Sequence, residues 1–224
     1  MIQGKMFIKT GSRHIRQQRF CQDSADMSVR EKSEIVIAAV SDGCSGARYS
    51  STGSKLCAEG FVRTFDKMSD KAVKRLCSSA KYDTEIKETV LICLSEIVKN
   101  SGMEYYQLSS TLVGILCCGK NAVVVHIGDG FSVRLKNGNT DTVSPPENGA
   151  VKNITFFATS PDAENHLRIS RTTVDDGIII STDGLSDTEI DSSMFQFDRL
   201  HRLLSKENFS DDCGVILITR KNNI

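Results

Sequence analysis

The chain has 224 residues, 39% hydrophobic and 25% charged, which suits one globular domain with a packed core rather than a disordered segment. Its 28 Lys+Arg balance 28 Asp+Glu, so no global field draws it to nucleic acid. The longest apolar run, residues 112–118, is far short of a membrane span, and the opening MIQGKMFIKT lacks an apolar signal core, so neither membrane insertion nor export is expected.

In chain order, the first clear element is IVIAAV at 35–40, a branched apolar run that reads as a strand covered on both faces and ended by Ser41-Asp42-Gly43. Residues 50–68 follow, with Leu56, Cys57, Gly60, Phe61, Thr64 and Phe65 at helical spacing and Ser50, Ser51 and Thr52 as candidate caps. A second helix is predicted over 83–99, its stripe made by Ile86, Val90, Cys93, Leu94, Ile97 and Val98, capped by Asp83 or Thr84 and stopped by Asn100-Ser101-Gly102. Strands are predicted at 110–118, 122–127 and 131–135. Gly119-Lys120-Asn121 and Gly128-Asp129-Gly130 read as hairpin connections between them, and 136–139 reads as a turn. Further strands are expected at 154–159, 167–174 and 177–181, then a helix at 192–204 and a last strand at 215–219. This order is α+β, not a regular βαβ alternation.

The eight cysteines form no CxxC pair, and several lie inside apolar runs. They read as small buried hydrophobes in a reducing cytoplasm rather than as disulfides or a zinc site.

Acidic residues recur at the ends of the apolar runs. Asp42 follows IVIAAV, Asp129 follows VVVHI, Asp183 follows IIIST, Asp211 and Asp212 precede the last strand, and Asp23 sits in CQDSAD. Asp-Gly is also a common turn signal, and for Asp129, flanked by strands, the turn reading is the stronger. If these carboxylates converge, they cannot all stay charged without cations. Oxygen ligands favour Mg²⁺ or Mn²⁺, and two such ions about 3.5–4 Å apart suit metal-assisted hydrolysis of a phosphate ester.

Six stretches in order make the sequence specific: CQDSAD at 21–26, VSDGCSGARYSSTGS at 40–54, SSTLVGIL at 109–116, VVVHIGDGFSVRLKNG at 123–138, ISTDGLSD at 180–187 and DDCGVILIT at 211–219. With them the chain resembles the metal-dependent Ser/Thr protein phosphatases of type 2C, in their smaller bacterial branch. The resemblance implies a four-layer α-β-β-α sandwich with two central antiparallel sheets. It implies one domain over 1–224, with a flap short or absent because only 27 residues separate Asp183 from Asp211. It implies hydrolysis of phosphoserine or phosphothreonine by a water bound between two Mg²⁺ or Mn²⁺ ions, without a phospho-enzyme.

Residue by residue, Asp42 would bridge the metals, the Gly43 carbonyl would bind one, and Asp183 and Asp211 would complete the other's shell. Asp23 would orient bound water, and Asp129 would help hold a third, weaker ion. Asp212 falls where many relatives have Asn, which favours Asp211 as the ligand. Three positions depart from the family: Gln22 stands where Glu is usual, Gln18 where an Arg often holds the substrate phosphate, and Cys44 where animal members carry a His. Arg13, His14, Arg16 and Arg19 are the nearby cations that could substitute, Arg13 and Arg16 foremost, with a solvated basic turn as the plain alternative. His14 or water is the candidate proton donor to the leaving group, and His126, inside an apolar strand, reads as a core residue.

The expected partners are a phosphoprotein substrate and a Ser/Thr kinase working in opposition. Two rival functions remain: a weak or inactive phosphatase-like binding protein, and a phosphatase for small phosphate esters.

Overall fold

Along β3 (Ile35–Ser41) every side chain is buried, yet the strand faces two different cores. Ile35, Ile37 and Ala39 pack with Cys57, Phe61 and Phe65 of a helix. Val36, Ala38 and Val40 instead pack with Ile178, Ile180, Ile216 and Ile218 of a second sheet. Alternation of side chains across a strand makes both contacts possible at once, so a continuous apolar run marks a strand sandwiched between layers.

The computed structural model describes residues 1–147, 155–186, 190–206 and 208–220. Among these, ten strands form two antiparallel sheets. The first sheet contains β1 (Ile2–Lys9), β6 (Phe131–Lys136), β7 (Asn139–Ser144), β9 (Gly177–Ser181) and β10 (Cys213–Arg220), in the order β1-β10-β9-β6-β7. The second contains β2 (Ser24–Arg30), β3, β4 (Leu112–Cys118), β5 (Asn121–Ile127) and β8 (Arg168–Thr173), in the order β2-β3-β4-β5-β8. A short helix α1 (Ser12–Arg16) follows β1. Helices α2 (Ser50–Asp66), α3 (Asp70–Ser78) and α4 (Asp83–Ser101) cover the outer face of the second sheet. A one-turn helix α5 (Ala163–His166) precedes β8, and α6 (Phe197–Lys206) covers the outer face of the first sheet through Leu200 and Leu204. The result is the expected α-β-β-α sandwich.

Glycine at 114 permits the closest helix–sheet approach, because a Cβ there would come within 2.5 Å of the Phe61 ring. The Asn137-Gly138 turn joins β6 to β7 with both residues at positive φ, 52° and 77°, as a two-residue hairpin of the mirror-image type requires.

Several expectations need correction. Gly128-Asp129-Gly130 is not a hairpin: β5 belongs to the second sheet and β6 to the first, so this segment carries the chain across the sandwich. Gly128 takes φ +110° there, with Thr111 packed where a Cβ would stand. Residues 155–159 belong to no strand of either sheet, and residue 154 lies outside the described residues. The N-caps are Tyr49 for α2 and Tyr82 for α4, neither with a side-chain cap, and the predicted cap residues lie inside the helices, which begin at Ser50 and Asp83. Ser50 accepts from the Gln22 side chain and Asp83 pairs with Arg171. β1, β2 and β7 were not signalled by the sequence, and all three are edge strands. An edge strand has one partner and one solvated flank, so it needs no apolar run.

All eight cysteines are free and six are buried. Burial pushes the thiols of Cys57, Cys117 and Cys213 up to about 12, which keeps them protonated and inert.

Candidate metal centre

The aspartates gather because four strands end, or begin, on one edge of the sandwich. Ser24 pairs with Ser41, which puts Asp23 and Asp42 at the same end of the second sheet. Ser181 pairs with Val215, which puts Asp183 beside the Asp211-Asp212 entry to β10. The crossover from β5 to β6 delivers Asp129 to the same edge. One carboxylate oxygen each of Asp42, Asp129 and Asp183 lies within 4.8 Å of the other two.

The backbone around each aspartate is pinned. The Asp42 N–H donates to Thr111 Oγ1 at 3.0 Å, while the Thr111 N–H donates to the Asp42 carbonyl at 2.8 Å. The Gly43 N–H donates to the Gln22 carbonyl at 3.1 Å, and a Cβ on Gly43 would come within 2.6 Å of the Ser50 carbonyl. Thr182 Oγ1 donates to Asp23 Oδ2 at 2.6 Å and accepts from the Gly214 N–H at 2.8 Å, so one hydroxyl ties the second sheet to the first. Gly184 lets the Asp183 turn lie directly against the Asp212 carbonyl, which a Cβ would overlap.

The electrostatics of this edge are those of an unbalanced acidic cradle. Burial, followed by the negative charge of Asp42, holds the Asp23 carboxyl well above the usual carboxylate range. Burial likewise raises Asp42 to about 6; the adjacent Asp23 carboxyl works against that rise, and Asp129, Asp211 and Asp212 add to it. Asp183 rises to about 8 through lost hydration and then through Asp42, Asp129 and Asp211. Its side chain still meets solvent, so water screens part of that repulsion. Asp23 Oδ1 and Asp129 Oδ1 are buried and accept no hydrogen bond from the protein. Orphaned oxygens among crowded carboxylates fit hard divalent cations, which satisfy both the charge and the open lone pairs.

The other predicted residues divide. Asp211 stands beside the cradle, its Oδ2 accepting from Arg13 at 2.8 Å. Asp212, 2% exposed, has a different part: it accepts from the Gly11 N–H at 2.7 Å, the Gln22 N–H at 2.6 Å and His14 Nδ1 at 2.7 Å. With three buried donors it is an anchor for the α1 segment rather than a ligand. That pairing also corrects the expectation for His14. Its ring is 2% exposed, Nδ1 is committed to Asp212, and Nε2 is buried, so it has no path to a leaving group. Arg16 is exposed, and it makes no ion pair among the described residues. His126 is buried in β5, as expected of a core residue. Thr111, Thr182 and Asp212 were missed as site residues. Each lies inside a motif quoted above, but each acts through a partner distant in the chain, which no local pattern reveals.

A sequence model described as protein phosphatase 2C matches residues 10–215. A search of curated protein sequences finds no significant match. Among solved structures, the chain is similar to the serine/threonine phosphatase Stp1 from Staphylococcus aureus, with 13% identity, a TM-score of 0.75, and 99% of this chain and 96% of that one covered. A bacterial serine phosphatase aligns with 13% identity, a TM-score of 0.77 and 100% of both chains covered. The catalytic domain of the serine threonine protein phosphatase PstP, in complex with two manganese ions, aligns with 16% identity, a TM-score of 0.70 and 97% of each chain covered. At these identities the structural matches speak for the fold, and the sequence-model match speaks for the family.

Proposed function

We propose, from the premise that this chain belongs to the protein phosphatase 2C family and is a metal-dependent Ser/Thr phosphoprotein phosphatase, that the aspartate cradle is its catalytic centre. The observation that carries this is the convergence of Asp42, Asp129 and Asp183, which come from three separate strand ends. Asp42, Asp183 and Asp211, with the Gly43 carbonyl, would hold two Mg²⁺ or Mn²⁺ ions, and Asp129 would help hold a third, weaker one. Bound there, the cations polarise the phosphoryl oxygens and acidify the attacking water.

The chain's own residues do the rest. Asp23, fixed through Oδ2 by Thr182, offers its free Oδ1 to the proton of the attacking water. The water oxygen bonds to phosphorus as the bond from phosphorus to the seryl or threonyl oxygen breaks. The departing alkoxide takes a proton from solvent, because His14 is buried and committed to Asp212. Arg13, whose pairing with Asp211 supports this reading, would meet a phosphate oxygen.

The described stretch between Asp183 and Asp211 is taken up by a turn at Ser192–Phe195 and by α6 packed on the first sheet. That supports a single catalytic domain over 1–224 with no sizeable flap inserted there. None of the described helices is long and apolar enough to cross a membrane. A cytoplasmic phosphoprotein, made by an opposing Ser/Thr kinase, is the substrate we propose.

The test is phosphate release from a phosphothreonine peptide and from p-nitrophenyl phosphate, with Mn²⁺ or with EDTA. Mn²⁺-dependent turnover of the peptide, lost in Asp183→Asn, is the expected result. Turnover of the aryl ester alone would assign a small-ester phosphatase instead, and no turnover of either would assign a phosphatase-like binding protein.

A further inference from the structure

Beside the cradle lies an open groove of about 510 Å³. It is contiguous with the catalytic edge: Gln22 lines it and is followed by Asp23, and Ser45 lines it two residues after Gly43. Its cations are Arg19 and Arg48, and no acidic residue lines it. Some arginines of the chain sit on carboxylates, as Arg30 does on Asp66 and Asp70 and Arg171 on Asp83. Arg19 and Arg48 make no ion pair among the described residues; Arg48 only rests over the Tyr49 ring, 5.3 Å from its centroid. The groove also carries Phe20, which is 90% exposed. The first turn of α2, which reaches the groove at Ser51, has neither an acidic residue nor a side-chain cap, so its dipole adds to the positive field.

This wall is built before any ligand arrives. The Gln18 N–H donates to the Ile15 carbonyl at 3.1 Å and the Arg19 N–H to the His14 carbonyl at 2.9 Å, with Gln18 at φ +54°. A tight turn thus fixes the backbone that carries Arg19 and Phe20, which lowers the ordering cost of binding. In a chain of zero net charge, a groove with two free cations and no acid, opening beside an acidic cradle, is a local field of opposite sign. A peptide whose phosphorylated side chain enters the cradle would have this groove beside its flanking residues.

Resting on the phosphatase reading above, we propose that the groove lined by Arg19, Arg48 and Phe20 selects phosphopeptides carrying Asp or Glu close to the phosphorylated residue. The arginines pair with those carboxylates while Phe20 covers the apolar part of their side chains.

The experiment compares kcat/KM for phosphothreonine peptides with glutamates flanking the phosphorylated residue on either side, against the same peptides with alanines. Wild-type protein should prefer an acidic peptide about fivefold, as two solvent-exposed ion pairs can provide. Added salt should erode that ratio, and the double variant Arg19→Glu, Arg48→Glu should bring it to one or below. The ratio is taken within each protein, so it does not depend on how much of a variant is folded. Equal kcat/KM for the acidic and neutral peptides in the wild type, or an unchanged ratio in the double variant, would overturn the inference. Anisotropy of the labelled peptides gives it a readout independent of turnover. If nothing is hydrolysed yet acidic peptides bind preferentially and lose that preference in the double variant, the phosphatase reading fails and the groove stands. Equal binding of acidic and neutral peptides would remove the groove.

Discussion

Replacing Asp42 by Asn should stabilise the metal-free protein, although it removes a central residue of the proposed active site. The amide keeps the shape of the carboxylate and leaves the backbone bonds to Thr111 untouched. It removes one charge from a cluster that also holds Asp129, Asp183, Asp211 and Asp212. The rise of Asp42 from 3.8 to about 6 sets a ceiling of about 3 kcal/mol, at about 1.4 kcal/mol per unit. Partial solvent access reduces the expected gain to about 1–2 kcal/mol.

The sign follows from proton counting. The folded pKa lies above the unfolded one, so the folded state holds the extra proton between pH 4 and 6. Wild-type stability from this group is therefore full below the unfolded value and lost as pH rises through about 6. The variant's advantage should be complete at neutral pH and vanish near pH 4. Urea denaturation in EDTA at both values measures it. With Mn²⁺ at a hundred times its dissociation constant, the wild type should gain about 2.7 kcal/mol and the variant much less, reversing the order. A variant less stable than wild type in EDTA at neutral pH, or one with an equal gain from Mn²⁺, would refute the reasoning.

Three other outcomes are expected. Asp212→Ala should cost about 3–5 kcal/mol in urea denaturation, because it strands the donors of Gly11, Gln22 and His14 in a buried site. Asp211→Ala should cost under about 1 kcal/mol while weakening Mn²⁺ binding, since its contact with Arg13 is solvent-exposed; equal losses in the two variants would contradict the division into anchor and ligand. His126 is held neutral, pushed down to about 3 by burial and then by Arg168, whose guanidinium lies 2.9 Å from Nδ1. Its folded pKa lies below the unfolded one, so acid destabilises the protein as pH falls from about 6.5 toward 3. His126→Gln should flatten that limb of the stability profile, and an unchanged limb would show that other groups govern it.

The sequence by itself determined the central strands and the chemistry of the site. Runs such as IVIAAV and GVILI have no solvated face, so their composition marks them as strands covered on both sides; the sandwich itself came from the family resemblance. The strands it left unsignalled, β1, β2 and β7, are those for which an apolar pattern is not required. The identity and order of the aspartates were also legible, because strand ends are local features.

Only the tertiary structure decided which of those aspartates meet and what each does. Asp42 and Asp183 are 141 positions apart in the chain, and they converge through the packing of one sheet on the other. Asp129 changed from a presumed hairpin residue to a member of the cradle because its two flanking strands belong to different sheets. The neighbours Asp211 and Asp212 differ because, at the entry into β10, one meets the exposed Arg13 and the other turns into a pocket of three donors. Periodicity reports which face of an element is buried; it carries no record of what the opposing element brings to that face.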